Sequence, residues 1–400
     1  MKPYVYCALV LGALSSLAHA AGPVEPVPAT GGTLPSGLNS DHVSWQHFVR
    51  LVAPVNATQA QFETWASDID IYTTTPAWPS PAQARVKKMQ PSLLQRSRAP
   101  HASRGAVTID DHSCAKVASP GNFPIADSKA SRRAAPSIAQ PCFAEEVRRN
   151  RPSYDYIVGN KLNTRPGLKK AYHKASTSDW RVSLPVDAVE VKADWLPLQT
   201  LIDWLANNQV TLSAAQVRKK YYTTVSGGQR YALVSLHVNS KEIPNWVWAS
   251  FEHQDNPGRC DTMGCHDGFG ATTATIAPAL NANTQYGSCS KLPELKKMFK
   301  EAKLAGVWDN YCLKASQIDF VAANGAPLML GDSFTERIAA GVPINQSSCI
   351  ACHATAAINK DGSPYVTALN ADLAPMGAVT LPPDVVAVDF IWGILFAPHK

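Results

Sequence analysis

The sequence predicts an α+β fold, and three observations carry that reading. Helix-like and strand-like stretches both occur, but they do not alternate in the regular order of a doubly wound sheet. No internal repeat is present. The composition, 45% hydrophobic and 17% charged over 400 residues, excludes general disorder and allows a large core.

Taken from the N-terminus, Lys2 precedes an apolar run, Val5–Leu17, that ends at Ala18-His19-Ala20. That is the pattern of a signal peptide over 1–20, cleaved near Ala20, and it predicts a periplasmic or secreted protein. The run is too short to span a bilayer, and no later stretch reaches the required length, so no membrane span is expected. Residues 21–140 form a Pro-rich N-terminal region. Within it, 21–40 reads as a flexible lead-in. Thr58 and Gln61 cap a helix near 58–70, with Phe62, Trp65, Ala66 and Ile69 on one face. A basic loop follows, rich in proline and without periodicity.

The body spans 141–344. Pro141 opens a helical stretch that resumes after Pro152 through Tyr156 and Ile157. Val186–Val191 alternates like a strand, and Leu196–Leu205 looks helical. Tyr231–Val238 and Trp246–Phe251 read as strands joined by a turn at Pro244. Pro293 starts a helix with Leu295, Met298, Phe299 and Ala302 on one face. The final segment, 345–400, ends in an apolar stretch, Val385–Phe396, which Asp389 and Gly393 interrupt; it reads as a core element.

Residues 81–181 hold 19 basic and 7 acidic side chains, while 345–400 hold 2 and 4. The bias fits an acidic partner or an ordinary solvated surface, and the scatter of the charges favours the second. Nucleic acid is not expected without interleaved aromatic and basic residues.

Eight cysteines follow the leader: Cys114, Cys142, Cys260, Cys265, Cys289, Cys312, Cys349 and Cys352. Cys349-Ile350-Ala351-Cys352-His353 is the strongest chemical signal. Two thiols separated by two residues, in a turn of helix, match the vinyl groups on adjacent pyrroles of a porphyrin, and the next His falls under the iron. This is the attachment pattern of haem c, so the final segment is expected to be a short helical haem-binding element. A thioredoxin-like pair would want a strand–helix–strand context, which is absent. A plain disulfide has no use for His353. A zinc site of Cys260, Cys265, Cys349 and Cys352 has acceptable spacing, but exported thiols face oxidation first.

Met376, in Pro375-Met376-Gly377, is the candidate for the second iron ligand, because a thioether favours ferrous iron and suits electron transfer. Filling a core gap is the other reading. Met329, His237 and His253 are reserves. Cys260-Asp-Thr-Met-Gly-Cys265-His266 reads as a disulfide hairpin before it reads as a second, stretched haem motif. Cys289 with Cys312, and Cys114 with Cys142, are further disulfide candidates. Signatures of serine hydrolases, zinc proteases, phosphate-binding loops and dinucleotide folds are absent.

Several stretches now resemble a family of exported bacterial proteins described only as "cytochrome c family protein". They are Phe62-Glu-Thr-Trp65-Ala-Ser-Asp68, Glu145-Glu-Val-Arg-Arg-Asn150, Val189-Glu-Val-Lys-Ala-Asp-Trp195 and Trp246-Val-Trp248-Ala-Ser-Phe-Glu252-His253. Asn310-Tyr311, Gln317-Ile-Asp-Phe320, Ser347-Ser-Cys349-Ile-Ala-Cys352-His353 and Asp389-Phe-Ile-Trp392 complete the likeness, which covers most of 45–395. The resemblance implies one covalent haem in an exported protein and no particular reaction. Cys312 stands where the resembling sequences are often basic, which makes a 289–312 bridge a departure.

Only 48 residues follow Cys352, so the haem must pack on the body, with Trp246, Trp248 and Trp392 as wall candidates. The helix before the motif would come from around Phe334–Ala340. Three functions are expected to compete. The first is an electron carrier with a periplasmic redox partner. The second is a haem enzyme, peroxidase- or oxidase-like, using His253, His237 or Arg259 as acid–base groups. The third is a binding protein stapled by haem.

Overall fold

The structure, a computed structural model, describes residues 34, 38–84, 90–91, 144–226, 228–276, 284–304, 306–336, 344–365 and 376–399. The leader, most of the lead-in, most of the basic loop with Cys114 and Cys142, and residues 337–340 of the expected Phe334–Ala340 helix lie outside the described residues.

The fold is α+β, built on one large antiparallel sheet. Its strands are β1 Ala66–Ser67, β2 Gln90–Pro91, β3 Ala144–Arg149, β4 Val189–Pro197, β5 Thr223–Ser226, β6 Gln229–Ser240, β7 Val247–His253 and β8 Tyr311–Gln317. The order is β8-β7-β6-β4-β3-β1, with β2 also pairing β3 and β5 also pairing β6. Helix α1, Ser40–Val52, starts where Asn39 accepts a hydrogen bond from the His42 N–H. Five more helices are α2 Arg151–Gly159, α3 Arg165–Thr177, α4 Leu198–Asn207, α5 Ala214–Lys220 and α6 Pro293–Glu301. A small sheet of β9 Ala357–Ile358, β10 Pro364–Tyr365 and β11 Val386–Ala387 closes the C-terminal part.

Strand alternation gives the large sheet two unlike faces. On one face Val189, Val191, Ala193, Trp195, Leu233, Leu236, Val238, Phe251 and Leu313 form a core with Trp45 and Phe48 of α1 and Leu295 and Phe299 of α6. Each such side chain, fully buried, contributes roughly 1.5–3 kcal/mol. The other face is polar and still buried. Register places Glu145 opposite Asp194, Asp194 opposite Ser235, and Lys192 opposite His237. Glu252 and Trp248 follow on β7, opposite Ser235 and Asn239. The chain after β8 covers this face, and its contacts there include hydrogen bonds: His237 to Asp332, Glu252 to Ser333, Gln317 to Ser348.

Several sequence expectations are corrected. The helix expected near 58–70 is a single 3-10 turn, Gln61–Thr64, then β1, then one helical turn, Asp68–Ile71. Two carboxylates close these short units locally: Glu63 accepts from the Ala60 N–H at 2.8 Å and Asp70 from the Ser67 N–H at 2.9 Å. Such bonds from the third helical position to the capping residue start a helical turn, so the stretch is started twice, at Ala60 and at Ser67, instead of running through as one helix. The N-terminal helix is instead α1, whose Trp45/Val49 and Phe48/Val52 pairs carry helical spacing. The stretch opened by Pro141 is described from Ala144 and is β3, because pairing with β4 overrides local propensity; the helix begins only at Arg151, capped by Asn150. The strand expected over 186–191 runs from Val189 to Pro197, and Val186 is exposed. Val385–Phe396 holds a short strand and a 3-10 turn, Trp392–Phe396.

Candidate functional site

The last helix, α7, is Cys349–Ala354. Ser348 caps it, its hydroxyl accepting from the Ala351 N–H at 3.4 Å. Gln317, at the end of β8, fixes the cap from the sheet: its amide donates to the Ser348 hydroxyl at 3.0 Å and its carbonyl accepts from the Ile350 N–H at 3.3 Å. The Cys349 N–H donates to Leu330 O at 3.1 Å. The helix that carries the two cysteines is therefore bonded to the sheet and to the 330s.

Cys349 and Cys352 are not bonded to each other, while the other four described cysteines form two disulfides, Cys260–Cys265 and Cys289–Cys312. The Cys349 thiol is buried and donates to Leu330 O at 3.3 Å. Burial, then the Glu336 carboxylate, pushes the Cys349 thiol up to about 11 and the Cys352 thiol up to about 12. Reactive exchange cysteines have lowered values instead.

His353 is the best-defined group of the motif. Its Nδ1 lies 2.9 Å from Phe390 O. A carbonyl only accepts, so Nδ1 carries the hydrogen and Nε2 keeps its lone pair. Burial holds the imidazole down to about 3, so it is neutral at pH 7. Trp248 lies tilted against the ring, with ring centres 4.6 Å apart, and the Trp392 Nε1 donates to Cys352 O at 3.3 Å. Trp246 sits beside Trp248, with ring centres 6.3 Å apart. All three tryptophans singled out from sequence thus stand at the motif.

The carbonyl that orients His353 is itself anchored. Asp389 and Phe390 both have left-handed backbone, φ 52° and 68°, a conformation that needs outside support in residues with a Cβ. Asp389 supplies it: its carboxylate accepts from Lys241 Nζ at 2.6 Å, Trp246 Nε1 at 3.2 Å and the Leu184 N–H at 2.6 Å.

Met376 is half-buried. Gly377 beside it lies against Val321 and Pro327, and Val379 joins the apolar cluster that contains Cys349 and Ile350. Met329 directly precedes Leu330, the partner of Cys349. His237 also reaches the motif: one of its ring nitrogens lies within 4.8 Å of the Cys349 sulfur. His253 and Arg259 do not join this group. His253 lies on the other face of the sheet, stacked on Tyr221 at 3.4 Å and bonded to Lys220 O at 3.2 Å. The Arg259 guanidinium rests on the Cys260–Cys265 sulfurs at 3.3 and 3.4 Å. With those sulfurs bonded to each other and His266 turned to Met263 O at 3.1 Å, the Cys260/Cys265/His266 set has no free thiol to attach a haem.

What the sequence reading missed is the buried acid–base cluster beside Cys349. His237 Nε2 lies 2.7 Å from Asp332 Oδ2. Burial opposes both charges, yet their attraction wins: the imidazole is held well above its ordinary value and the carboxylate well below. Burial pushes Asp194 up to about 8 and Glu336 up to about 7. Strand alternation alone would have aligned Glu190, Lys192 and Asp194, but as a solvated face.

No protein-family model, curated protein or solved structure matches the chain.

Proposed function

We propose that the chain is an exported c-type cytochrome with one haem bound covalently through Cys349 and Cys352, that His353 is the proximal iron ligand, and that it transfers electrons in the periplasm. The observation that carries this reading is the state of His353: neutral, half-buried, its Nδ1–H given to Phe390 O and its Nε2 left to ligate. Metal-bound histidines are oriented by such an outer bond. The two thiols fit the same group, since they lie one turn apart, unpaired and protonated, whereas a thioredoxin-like pair or a zinc site calls for acidic thiols.

The haem would supply a one-electron couple. The chain's own residues orient His353 through Phe390, cover it with Trp248 and brace Cys352 through Trp392. Met376 would be the second residue to hold the iron. The exposed Lys169, Lys170 and Lys174 of α3, which packs on the small C-terminal sheet, suit an acidic redox partner.

The test is a haem stain of the denatured protein made with a maturation system, with intact mass alongside. One haem mass is expected, lost in Cys349→Ala/Cys352→Ala; an unstained wild type overturns the reading. A haem-dependent redox enzyme is the second reading, favoured by the buried His237–Asp332 pair against Cys349. It requires iron open to small ligands in the wild type.

A further inference from the structure

Asp194 stands on β4, His237 on the adjacent β6, and Asp332 on the segment that covers the sheet. One ligand atom from each lies within 4.8 Å of the others, and all three residues are buried. Hydrogen bonds aim both carboxylates, and Asp332 Oδ2 meets His237 Nε2 at 2.7 Å, a contact in which the ion would replace the shared proton. Asp332 Oδ1 accepts from the Phe334 and Thr335 N–H groups at 2.8 and 2.6 Å, leaving Oδ2 toward His237. Asp194 Oδ2 accepts from the Ser235 and Thr335 hydroxyls at 2.6 and 3.0 Å. Asp194 Oδ1 is fully buried and has no hydrogen-bond partner.

A buried carboxylate oxygen without a partner is costly and calls for an occupant. Charge points the same way. Asp194, Asp332 and Glu336 are faced by His237, Lys192 and Lys314; Lys192 is already paired with Glu145 at 2.8 Å, and Lys314 lies 3.6 Å from Glu252. A divalent cation would balance this group without a further side chain.

We propose that Asp194, His237 and Asp332 bind a divalent first-row transition-metal ion such as Zn²⁺ or Mn²⁺. One imidazole and two carboxylates suit such ions. Calcium and magnesium prefer all-oxygen shells. The Cys349 thiol near the same ring, with Glu336, makes a second grouping, but thioether formation would consume that cysteine, whereas the Asp194 set needs none. The ion would tie β4 and β6 to the 330s. Leu330 in turn exchanges backbone hydrogen bonds with Ser347 and Cys349 at 3.1 Å each. The site would thus fasten the cysteine-bearing helix to the sheet.

The test uses the full chain, prepared both with and without haem maturation, so that it is independent of the haem reading. Elemental analysis after growth with Zn²⁺ or Mn²⁺, with haem iron counted separately by absorbance, is expected to give about one equivalent of non-haem metal. Dialysis against a chelator should lower the melting temperature, and Zn²⁺ or Mn²⁺ should restore it. Asp194→Asn should lose the metal and melt like the chelated wild type. Absence of non-haem metal, with Asp194→Asn melting at or above wild type, overturns the proposal, because Asn mimics a carboxyl that carries a proton instead of a cation. Should that variant not fold, the wild type decides: a melting temperature indifferent to chelator and to both ions overturns it too.

Discussion

His353 Nδ1 and Phe390 O are 2.9 Å apart, and the residue before that carbonyl, Asp389, ties it to the end of β6 through an ion pair with Lys241. Removing Asp389 has two expected consequences. Asp389→Ala leaves the Lys241 ammonium buried without its partner, a loss of about 3–5 kcal/mol in urea unfolding. It also frees the left-handed turn, so that Nδ1–H loses its acceptor and, with the proposed haem bound, His353 would be a weaker donor to its iron. The reduction potential should then rise, since a weaker donor stabilises ferric iron less. A variant with unchanged stability and potential would show that the carbonyl is held without Asp389.

Met376 is predicted to complete the iron's coordination. Ferric iron with a thioether ligand has a weak absorption band at the red edge of the visible. Met376→Ala should remove the band, lower the potential and let cyanide bind readily. Survival of the band in the variant, or its absence from the wild type, would make Met376 a packing residue and favour the enzyme reading.

The parts that were legible in the sequence are those whose signal is local. Tyr231–Val238 and Trp246–Phe251 show as strands because they are β-rich runs ended by turn residues, and α6 shows because Pro293 precedes Leu295 and Phe299 at helical spacing. The motif at 349–353 is local as well. Its tryptophan wall could be inferred from size alone. β3 was hidden because Glu145, Glu146, Arg148 and Arg149 are charged and yet buried on both faces. Arg148 pairs with Glu146 on the same strand, but the partners of the other two come from other segments: Asp68 and Glu190 for Arg149, Lys192 for Glu145. The anchor of His353 joins positions 241 and 389, and the His237 cluster joins three segments. Neither has a spacing that a reader could recognise, because the fold, not the chain, makes them neighbours.

The two disulfides should differ in worth. Cys289–Cys312 closes a separation of 23 residues and Cys260–Cys265 one of 5. Loop-closure entropy then gives about 3.4 kcal/mol for the first and about 2.2 kcal/mol for the second. Cys289→Ala/Cys312→Ala should therefore lower stability more than Cys260→Ala/Cys265→Ala in urea titrations. The reverse order would mean that the Arg259 contact on the smaller bridge outweighs chain entropy.

Lys291 provides a pH prediction with a definite sign. Its side chain is buried, donates to Asp309 O at 2.5 Å and lies 3.4 Å from Cys289 Sγ. Burial chiefly, with Arg259 and Lys296 adding repulsion, pushes its ammonium down to about 8 from an ordinary 10.5. Between those values the unfolded chain holds a proton that the folded one has released. Stability therefore rises with pH across the window, and falling pH removes that gain until about 8, below which the cost is constant. Lys291→Met abolishes this contribution. The shift corresponds to about 3 kcal/mol at pH 7, offset by about 1–2 kcal/mol for the hydrogen bond lost at Asp309. The variant should thus be more stable at pH 7 by about 1–2 kcal/mol, and the wild type should close the gap as pH rises from 8 to 10.5. Urea unfolding of both proteins across that range isolates the effect, since every other titrating group is common to them. A difference that stays flat between pH 7 and 10.5 would show that Lys291 keeps its proton in the fold.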